Sequence, residues 1–175
     1  ALMYHTAKQG FQAAIMAPTE ILAEQHYKNL CESLKNTGIE CVLLTGSLKK
    51  SEKQRAKDLL EGGQVQIAVG THALISGDVC FKNLALVITD EQHRFGVTQR
   101  ADLSGKGMHP HTLVMSATPI PRTLGLIIYG DLDISVLDEM PKGRIPIKTY
   151  GVDSSYRPRL YNFIKKYVSE GKQAY

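Results

Sequence analysis

The stretch ALVITDEQHR, residues 85–94, runs from mostly apolar side chains directly into two acids and a histidine. The β-branched residues in its first half predict a buried strand, whereas carboxylates are among the side chains least willing to be buried. In α/β sheets, ligands bind beyond the carboxyl ends of the strands. A strand that ends on Asp90 and Glu91 therefore indicates a site at that end.

Short apolar runs of the same kind recur along the chain and alternate with helical patterns. They are continuous rather than alternating in polarity, which is typical of strands covered on both faces of a parallel sheet. The runs predict six strands, at residues 12–16, 41–44, 66–69, 84–89, 112–115 and 134–137.

Helices are predicted between these strands. Residues 1–9 and 20–36 have helical patterns, and Ser51 followed by Gln54 reads as a capping box that begins a helix over residues 51–60. Strand–helix alternation of this kind predicts an α/β fold with a doubly wound parallel sheet flanked by helices.

The segment KGRIP, residues 142–146, is punctuated by Pro and Gly and reads as a linker. We therefore predict a first domain over residues 1–141 and the beginning of a second domain over residues 147–175. In the second domain, a strand at residues 147–152 would precede a helix at residues 157–169.

The amino-acid composition is that of an ordinary globular protein, with 43% hydrophobic and 22% charged residues. No apolar run approaches the roughly 18 residues that span a bilayer, and no secretory leader begins the chain, so we expect a cytoplasmic protein without a membrane partner. The net charge of +4 permits a polyanionic partner. Cys31, Cys41 and Cys80 form no C-x-x-C pair, which predicts free, buried thiols.

A second apolar run, residues 113–115, ends in small hydroxyl residues and closes with Pro119. Nucleotide hydrolysis needs one carboxylate that holds Mg²⁺ through its water shell and another that orients or deprotonates the attacking water. Taken singly, the acids are more simply interpreted as a solvated loop pair, and the hydroxyls as a polar turn closed by Pro119. D-E-x-H followed by S-A-T-P is much more specific than either motif.

The segments DEQHRFGV and SATPIPRTL resemble the first motor domain of a superfamily 2 helicase of the DExH type. The segments MAPTEILAEQH, LLTGSLKKSEK, VGTHALI and YGDLDISVLDEMPKGRIPI extend the resemblance over essentially the whole chain. They are similar to the RecG family of branch-migration helicases, with the transcription-repair coupling factors as nearest relatives. The resemblance implies RecA-like P-loop NTPase domains with ATP and Mg²⁺ as cofactors.

The resemblance also implies roles for the residues of the two motifs. Asp90 would be the Mg²⁺-associated acid, through water, and Glu91 the catalytic acid that polarises the attacking water. His93, counted with the catalytic residues, would couple the nucleotide state to DNA together with Ser116 and Thr118.

Three further segments follow predicted strands and match helicase DNA-contact motifs. Small hydroxyls, backbone amides and nearby lysines suit binding of one DNA strand through its phosphates. Simpler interpretations also exist: a helix cap for Thr19, a solvated face for the lysines and a turn for His72. The predicted DNA-binding residues are Pro18, Thr19, Thr45, Gly46, Ser47, Gly70, Thr71 and His72.

The sequence contains no G-x-x-x-x-G-K-[ST] phosphate loop, and SGKG at residues 104–107 has the wrong residue after its lysine. The resemblance puts that loop just upstream of residues 1–9 and the arginine finger beyond residue 175. We therefore expect an N-terminally truncated first domain that by itself binds ATP weakly and hydrolyses essentially none.

The leading hypothesis is a fragment of an ATP-dependent DNA helicase that remodels replication forks and Holliday junctions in repair and recombination. Its expected partners are branched or forked duplex DNA and the remaining domains of a bacterial protein. The alternatives are a transcription-repair coupling translocase and a non-catalytic DNA-binding remnant. A metal-dependent nuclease would need further acids, and His109 and His111 have no metal-ligand spacing.

Overall fold

A computed structural model of the 175-residue chain describes residues 1–91, 103–116, 133–140 and 143–174. The chain divides into two compact units, Ala1–Leu124 and Gly125–Tyr175. The predicted linker at residues 142–146 stays a prediction.

The first unit contains a five-stranded sheet in which every neighbouring pair is parallel. Its strands are β1 (Gln12–Met16), β2 (Cys41–Leu44), β3 (Ile67–Gly70), β4 (Leu84–Thr89) and β5 (His111–Val114). The order β2-β3-β1-β4-β5 confirms the predicted parallel, doubly wound sheet. The third and fifth strands are each displaced by one residue from their predicted bounds.

Helices cover both faces of this sheet, because alternate residues of each strand point to opposite sides. The first face packs against α1 (Leu2–Lys8) and α2 (Glu20–Ser33), and the second against α3 (Lys50–Glu61). The first core includes Met3, Ala13, Ile15, Ala23, Leu34, Ile67, Val69, Leu86 and Ile88. The second includes Ala14, Met16, Leu44, Ala56, Leu60, Ala68, Leu74, Val87 and Leu103.

Helix α2 begins as predicted and ends earlier. The Thr19 hydroxyl accepts a hydrogen bond from the Leu22 amide at 3.3 Å, so Thr19 is a side-chain N-cap. The helix stops at Ser33 rather than at residue 36, because the chain turns through left-handed conformations at Asn36 (φ 69°) and Gly38 (φ 77°).

Helix α3 begins one residue before its predicted start. Glu52 accepts a hydrogen bond from the Lys49 amide at 3.0 Å, which is one half of a capping box. The other half is missing, since a lysine side chain has no acceptor. The predicted Ser51–Gln54 box is therefore wrong, because Ser51 already lies inside the helix.

All three cysteines are free, as predicted, but none of them is buried. Cys31 and Cys80 are exposed and Cys41 is half-buried. Burial, together with the neighbouring Cys31 thiol, raises the pKa of Cys41 to about 12, so its thiol stays protonated at neutral pH.

The second unit contains α4 (Arg157–Ser169), which confirms the predicted helix. The strands predicted at residues 134–137 and 147–152 are wrong, since neither segment has strand structure. Their apolar side chains, including Val136, Leu137 and Ile147, are exposed. A strand requires a neighbour for its backbone hydrogen bonds, and the described residues offer these segments none. Within the same described ranges, no helix is long and apolar enough to cross a bilayer.

Candidate functional site at the carboxyl edge of the sheet

The sheet brings the carboxyl ends of its strands into one row. The ladder register aligns Leu44, Gly70, Met16, Thr89 and Val114 across the five strands. One residue further, the Asp90 amide still donates to the Met16 carbonyl at 2.9 Å, and the Met115 amide to the Thr89 carbonyl at 2.9 Å. The segments that follow each strand therefore emerge side by side at one edge.

The two motifs of the candidate nucleotide site meet at this edge. Glu91 and Ser116 each stand two residues beyond the paired Thr89 and Val114, so they lie at the same end of adjacent strands. Glu91 is half-buried and Ser116 is exposed. The other two predicted members, His93 and Thr118, lie outside the described residues.

The Asp90 carboxylate is held at both of its oxygens. Its Oδ1 accepts a hydrogen bond from the Glu91 amide at 2.9 Å, and its Oδ2 lies 2.7 Å from Nε2 of His26 on α2. Sequence reasoning missed His26. The available signal was its position three residues after Ala23, which predicts that it lies on the same face of the helix, toward the sheet.

Glu91 has an unusual backbone conformation, with φ at 50°. A non-glycine residue in the left-handed region costs on the order of 1–2 kcal/mol, because its Cβ crowds the backbone. Residues held this way concentrate at functional sites, where the surrounding structure fixes them. The strain lies at the residue for which the sequence indicates a catalytic role.

Five of the eight predicted DNA-binding residues are accessible at this edge. Gly46, Ser47 and His72 are exposed, and Pro18 and Thr19 are half-buried. The Thr19 hydroxyl is already engaged as the cap of α2, so the simpler interpretation of that side chain is confirmed.

The other three, Thr45, Gly70 and Thr71, are buried, and their assignment to DNA stays a prediction. Thr45 is 1% exposed, and its hydroxyl lies 3.2 Å from that of Ser47. A Cβ on Gly70 would lie 2.2 Å from the Leu44 carbonyl oxygen, so only glycine fits there. Thr71 is 2% exposed, and its hydroxyl has no hydrogen-bond partner among the described residues.

Charged side chains lie beside the loop at residues 45–47, in which Gly46 and Ser47 are accessible. One carboxylate oxygen of Glu20 accepts the Ser47 amide hydrogen bond at 2.9 Å. Hydrogen bonds from the Ser47 hydroxyl and amide lower the pKa of Glu20, so it is ionised at neutral pH. The Lys53 ammonium donates to the Gly46 carbonyl, which brings a positive charge to the same loop.

The remaining basic residues of α3 divide into two groups. Lys57 pairs with Asp78, and hydrogen bonds from Lys57 and Ser76 lower the pKa of Asp78 to about 2. Lys49, Lys50 and Arg55 are exposed to solvent. Their charge is available to a polyanion at this edge of the sheet, whereas that of Lys57 is largely compensated.

The acids fit a magnesium ion held through water. Magnesium prefers oxygen ligands and usually keeps several waters, binding protein through one or two carboxylates plus substrate phosphates. Each Asp90 oxygen has one hydrogen-bond donor, which leaves lone pairs for magnesium-bound water. Over the described ranges, no three His, Cys, Asp or Glu residues form a metal cluster. A transition-metal cage is thus not a feature of the described residues.

Comparisons with known proteins place this arrangement in a family. The model of the DEAD/DEAH box helicase family matches residues 1–127. The chain is 52% identical over 170 residues to a protein of Aquifex aeolicus and 48% identical over 173 residues to one of Bacillus subtilis, both named ATP-dependent DNA helicase RecG. These alignments cover 96% and 99% of the chain.

A solved structure gives the same result for the fold. The structure of RecG bound to a three-way DNA junction superposes with a TM-score of 0.80 at 49% identity, covering 94% of this chain. The chain spans 22% of that structure and 22% to 25% of the two relatives. The sheet and its flanking helices are thus those of a RecA-like helicase domain, and the chain belongs to the DEAD/DEAH box helicase family.

Proposed function

We propose that this chain is part of the first motor domain of an ATP-dependent DNA helicase of the RecG type. The complete protein would remodel replication forks and Holliday junctions in DNA repair and recombination, using ATP and Mg²⁺. Residues 147–175 would begin the second motor domain, after a linker at residues 142–146. Because the proposed substrate is DNA and the matched relatives are bacterial, we propose a location in the bacterial cytoplasm.

One observation carries the proposal: the acid pair and the hydroxyl motif lie on adjacent strands at one edge of the sheet. The register of β4 and β5 supports this, since Glu91 and Ser116 both stand two residues past the paired Thr89 and Val114. The accessible loop at residues 45–47 follows another strand at the same edge. Nucleotide and DNA would therefore contact neighbouring segments.

In the proposed mechanism, Asp90 would hold magnesium-coordinated water, and Glu91 would accept a hydrogen bond from the water that attacks the γ-phosphate. Magnesium, when bound with the nucleotide, would neutralise charge that develops on the phosphates. The left-handed backbone at Glu91 is a conformation that the surrounding structure must impose, which supports a functional requirement at this residue. Ser116, with His93 and Thr118, would transmit the nucleotide state to the DNA surface.

The relatives favour this function over the two alternatives. The matched proteins of A. aeolicus and B. subtilis carry the name RecG, and the resemblance extends over nearly the whole chain. A coupling translocase would act with RNA polymerase, and a non-catalytic remnant would not need the strained acid. Neither alternative has a specific observation in its favour.

The proposal is tested by a fork-regression assay with the complete protein that contains this sequence. We expect it to convert a synthetic replication fork into a four-way junction, with strict dependence on both ATP and Mg²⁺. ATP hydrolysis without fork regression, but with displacement of a stalled RNA polymerase, would instead support the coupling translocase. Absence of any ATP hydrolysis would support the remnant.

The loop at residues 45–47 gives a separate prediction about DNA binding. Glu20 places a negative charge against this loop, and phosphates would have to approach it. Glu20→Gln keeps an acceptor for the Ser47 amide and removes the charge. We expect single-stranded DNA to bind about threefold more tightly at low salt, since removing one like charge from a solvent-exposed position has a modest effect on phosphate binding.

Fluorescence anisotropy with labelled oligonucleotides of different base composition measures this effect. The gain should shrink as salt is raised, because charges are screened and each counterion released from the phosphates contributes less free energy. Glu24→Gln is the matched control, since Glu24 is exposed on α2 one turn further along. Equal affinities for Glu20→Gln and Glu24→Gln would exclude this loop from the DNA surface.

A further inference from the structure

The carboxylate of Asp90 is tied to a helix as well as to its own strand. Nε2 of His26, on α2, lies 2.7 Å from Oδ2 of Asp90 across 64 residues of sequence. The two side chains are 29% and 20% exposed, so the contact is partly shielded from water.

The chemistry of the pair determines the direction of the hydrogen bond. An ionised carboxylate has only acceptors, so Nε2 of His26 must carry the proton and donate it. The bond therefore forms with neutral and with charged imidazole alike. With the Glu91 amide on Oδ1 and the His26 ring on Oδ2, the plane of the Asp90 carboxylate is fixed at both oxygens.

The helix that carries His26 is itself firmly held. Its first turn is capped by Thr19, and Glu20 accepts a hydrogen bond from the Ser47 amide in the loop after β2. Ala23 and Leu34 are buried against the sheet, with Tyr27 and Leu30 packed beside them. A donor on such a rigid element restricts the carboxylate more than one on a flexible loop would.

From these contacts we propose that His26 is a positioning residue for Asp90. Through its Nε2–H it orients the carboxylate so that the free lone pairs face magnesium-bound water. The inference rests on the proposed function, because it assigns His26 to the same nucleotide site. His26 contacts neither nucleotide nor metal in this role and acts only through Asp90.

Two substitutions separate this role from packing. His26→Gln places an amide nitrogen close to the position of Nε2 and keeps the donor, whereas His26→Met has similar length and no donor. Lys28→Met is the matched control, because Lys28 is exposed on the same helix. All three are made in the complete protein that contains this sequence.

The decisive measurement is nucleotide binding without turnover. Equilibrium titration with ADP, in magnesium and then in EDTA, gives the factor by which magnesium strengthens binding. We expect His26→Met to reduce that factor about tenfold, because outer partners of metal-binding side chains commonly contribute 10-fold to 100-fold. Affinity in EDTA should stay the same. His26→Gln should recover most of the loss, and Lys28→Met should match the unsubstituted protein.

Steady-state ATPase measurements give a second readout. His26→Met should raise the magnesium concentration that gives the half-maximal ATPase rate by about tenfold, the factor expected for ADP binding. The KM for ATP at saturating magnesium should change less. Equal losses of ADP affinity in magnesium and in EDTA, or a loss that glutamine does not restore, would overturn the inference and leave His26 a packing residue. An unsubstituted protein without any magnesium-dependent ADP binding would overturn the proposed function as well.

Discussion

Replacing Glu91 with Gln is expected to lower the kcat for DNA-stimulated ATP hydrolysis of the complete protein by about 10²-fold or more. In the proposed mechanism, the carboxylate would accept a hydrogen bond from the attacking water and draw its proton away. An amide oxygen is a weaker acceptor, and its NH₂ group cannot take up a proton. Affinity for ADP should change little, since magnesium is assigned to Asp90 rather than to Glu91.

The measurement is a steady-state ATPase assay at saturating fork DNA, with direct nucleotide and DNA binding alongside it. Glu61→Gln is a suitable control, because Glu61 is exposed at the end of α3, where the following strand begins rather than ends. Because glutamine has the same shape as glutamate, Glu91→Gln should keep the left-handed backbone at this position and the fold. An unchanged rate would remove Glu91 from the mechanism, and an equal loss of ADP affinity would assign it to binding instead.

The parallel sheet was predictable because its signal is local. A strand covered on both faces needs a continuous apolar run, and the five strands of the first unit have one within a residue of the observed bounds. Parallel strands then bring their carboxyl ends together, which is why Asp90 and Ser116 could be placed at one edge without coordinates. The runs at residues 134–137 and 147–152 have the same local pattern but find no pairing strand among the described residues.

Burial and long-range polar contacts were not predictable from the same patterns. Thr45 and Thr71 follow their strands as Ser47 and His72 do, yet only the latter two reach the surface. The difference depends on how far each segment continues the hydrogen bonding of the sheet beyond its strand. The Thr71 amide still donates to the Leu44 carbonyl at 3.3 Å, so Thr71 stays within the sheet. His26 was missed for a related reason: its partner lies 64 residues away, beyond any helical or strand period.

A buried amide at the opposite edge of the sheet leads to the second prediction. Gln12, at the start of β1, is 3% exposed, although the sequence counts it only as part of an apolar run. Its Nε2 donates to the carbonyls of Leu60 and Val65, both at 2.8 Å, and its Oε1 accepts from the Asn83 amide at 3.0 Å. One side chain thus joins the end of α3 to the approaches of β3 and β4.

Gln12→Met keeps the size of this side chain and removes all three hydrogen bonds. We expect the free energy of unfolding to fall by about 2–4 kcal/mol, because each buried group left without a partner costs about 1–3 kcal/mol. The Leu60 carbonyl should contribute the least to this loss, because it also accepts a hydrogen bond from the Gly63 amide at 3.1 Å and keeps that partner in the variant. Urea unfolding should show a lower midpoint with an unchanged m-value.

Gln25→Met, at an exposed position of α2, is the control, and its free energy of unfolding should stay within about 0.5 kcal/mol of the unsubstituted protein. If both variants unfold at the same urea concentration, the three hydrogen bonds of the Gln12 side chain do not contribute to the stability of the fold.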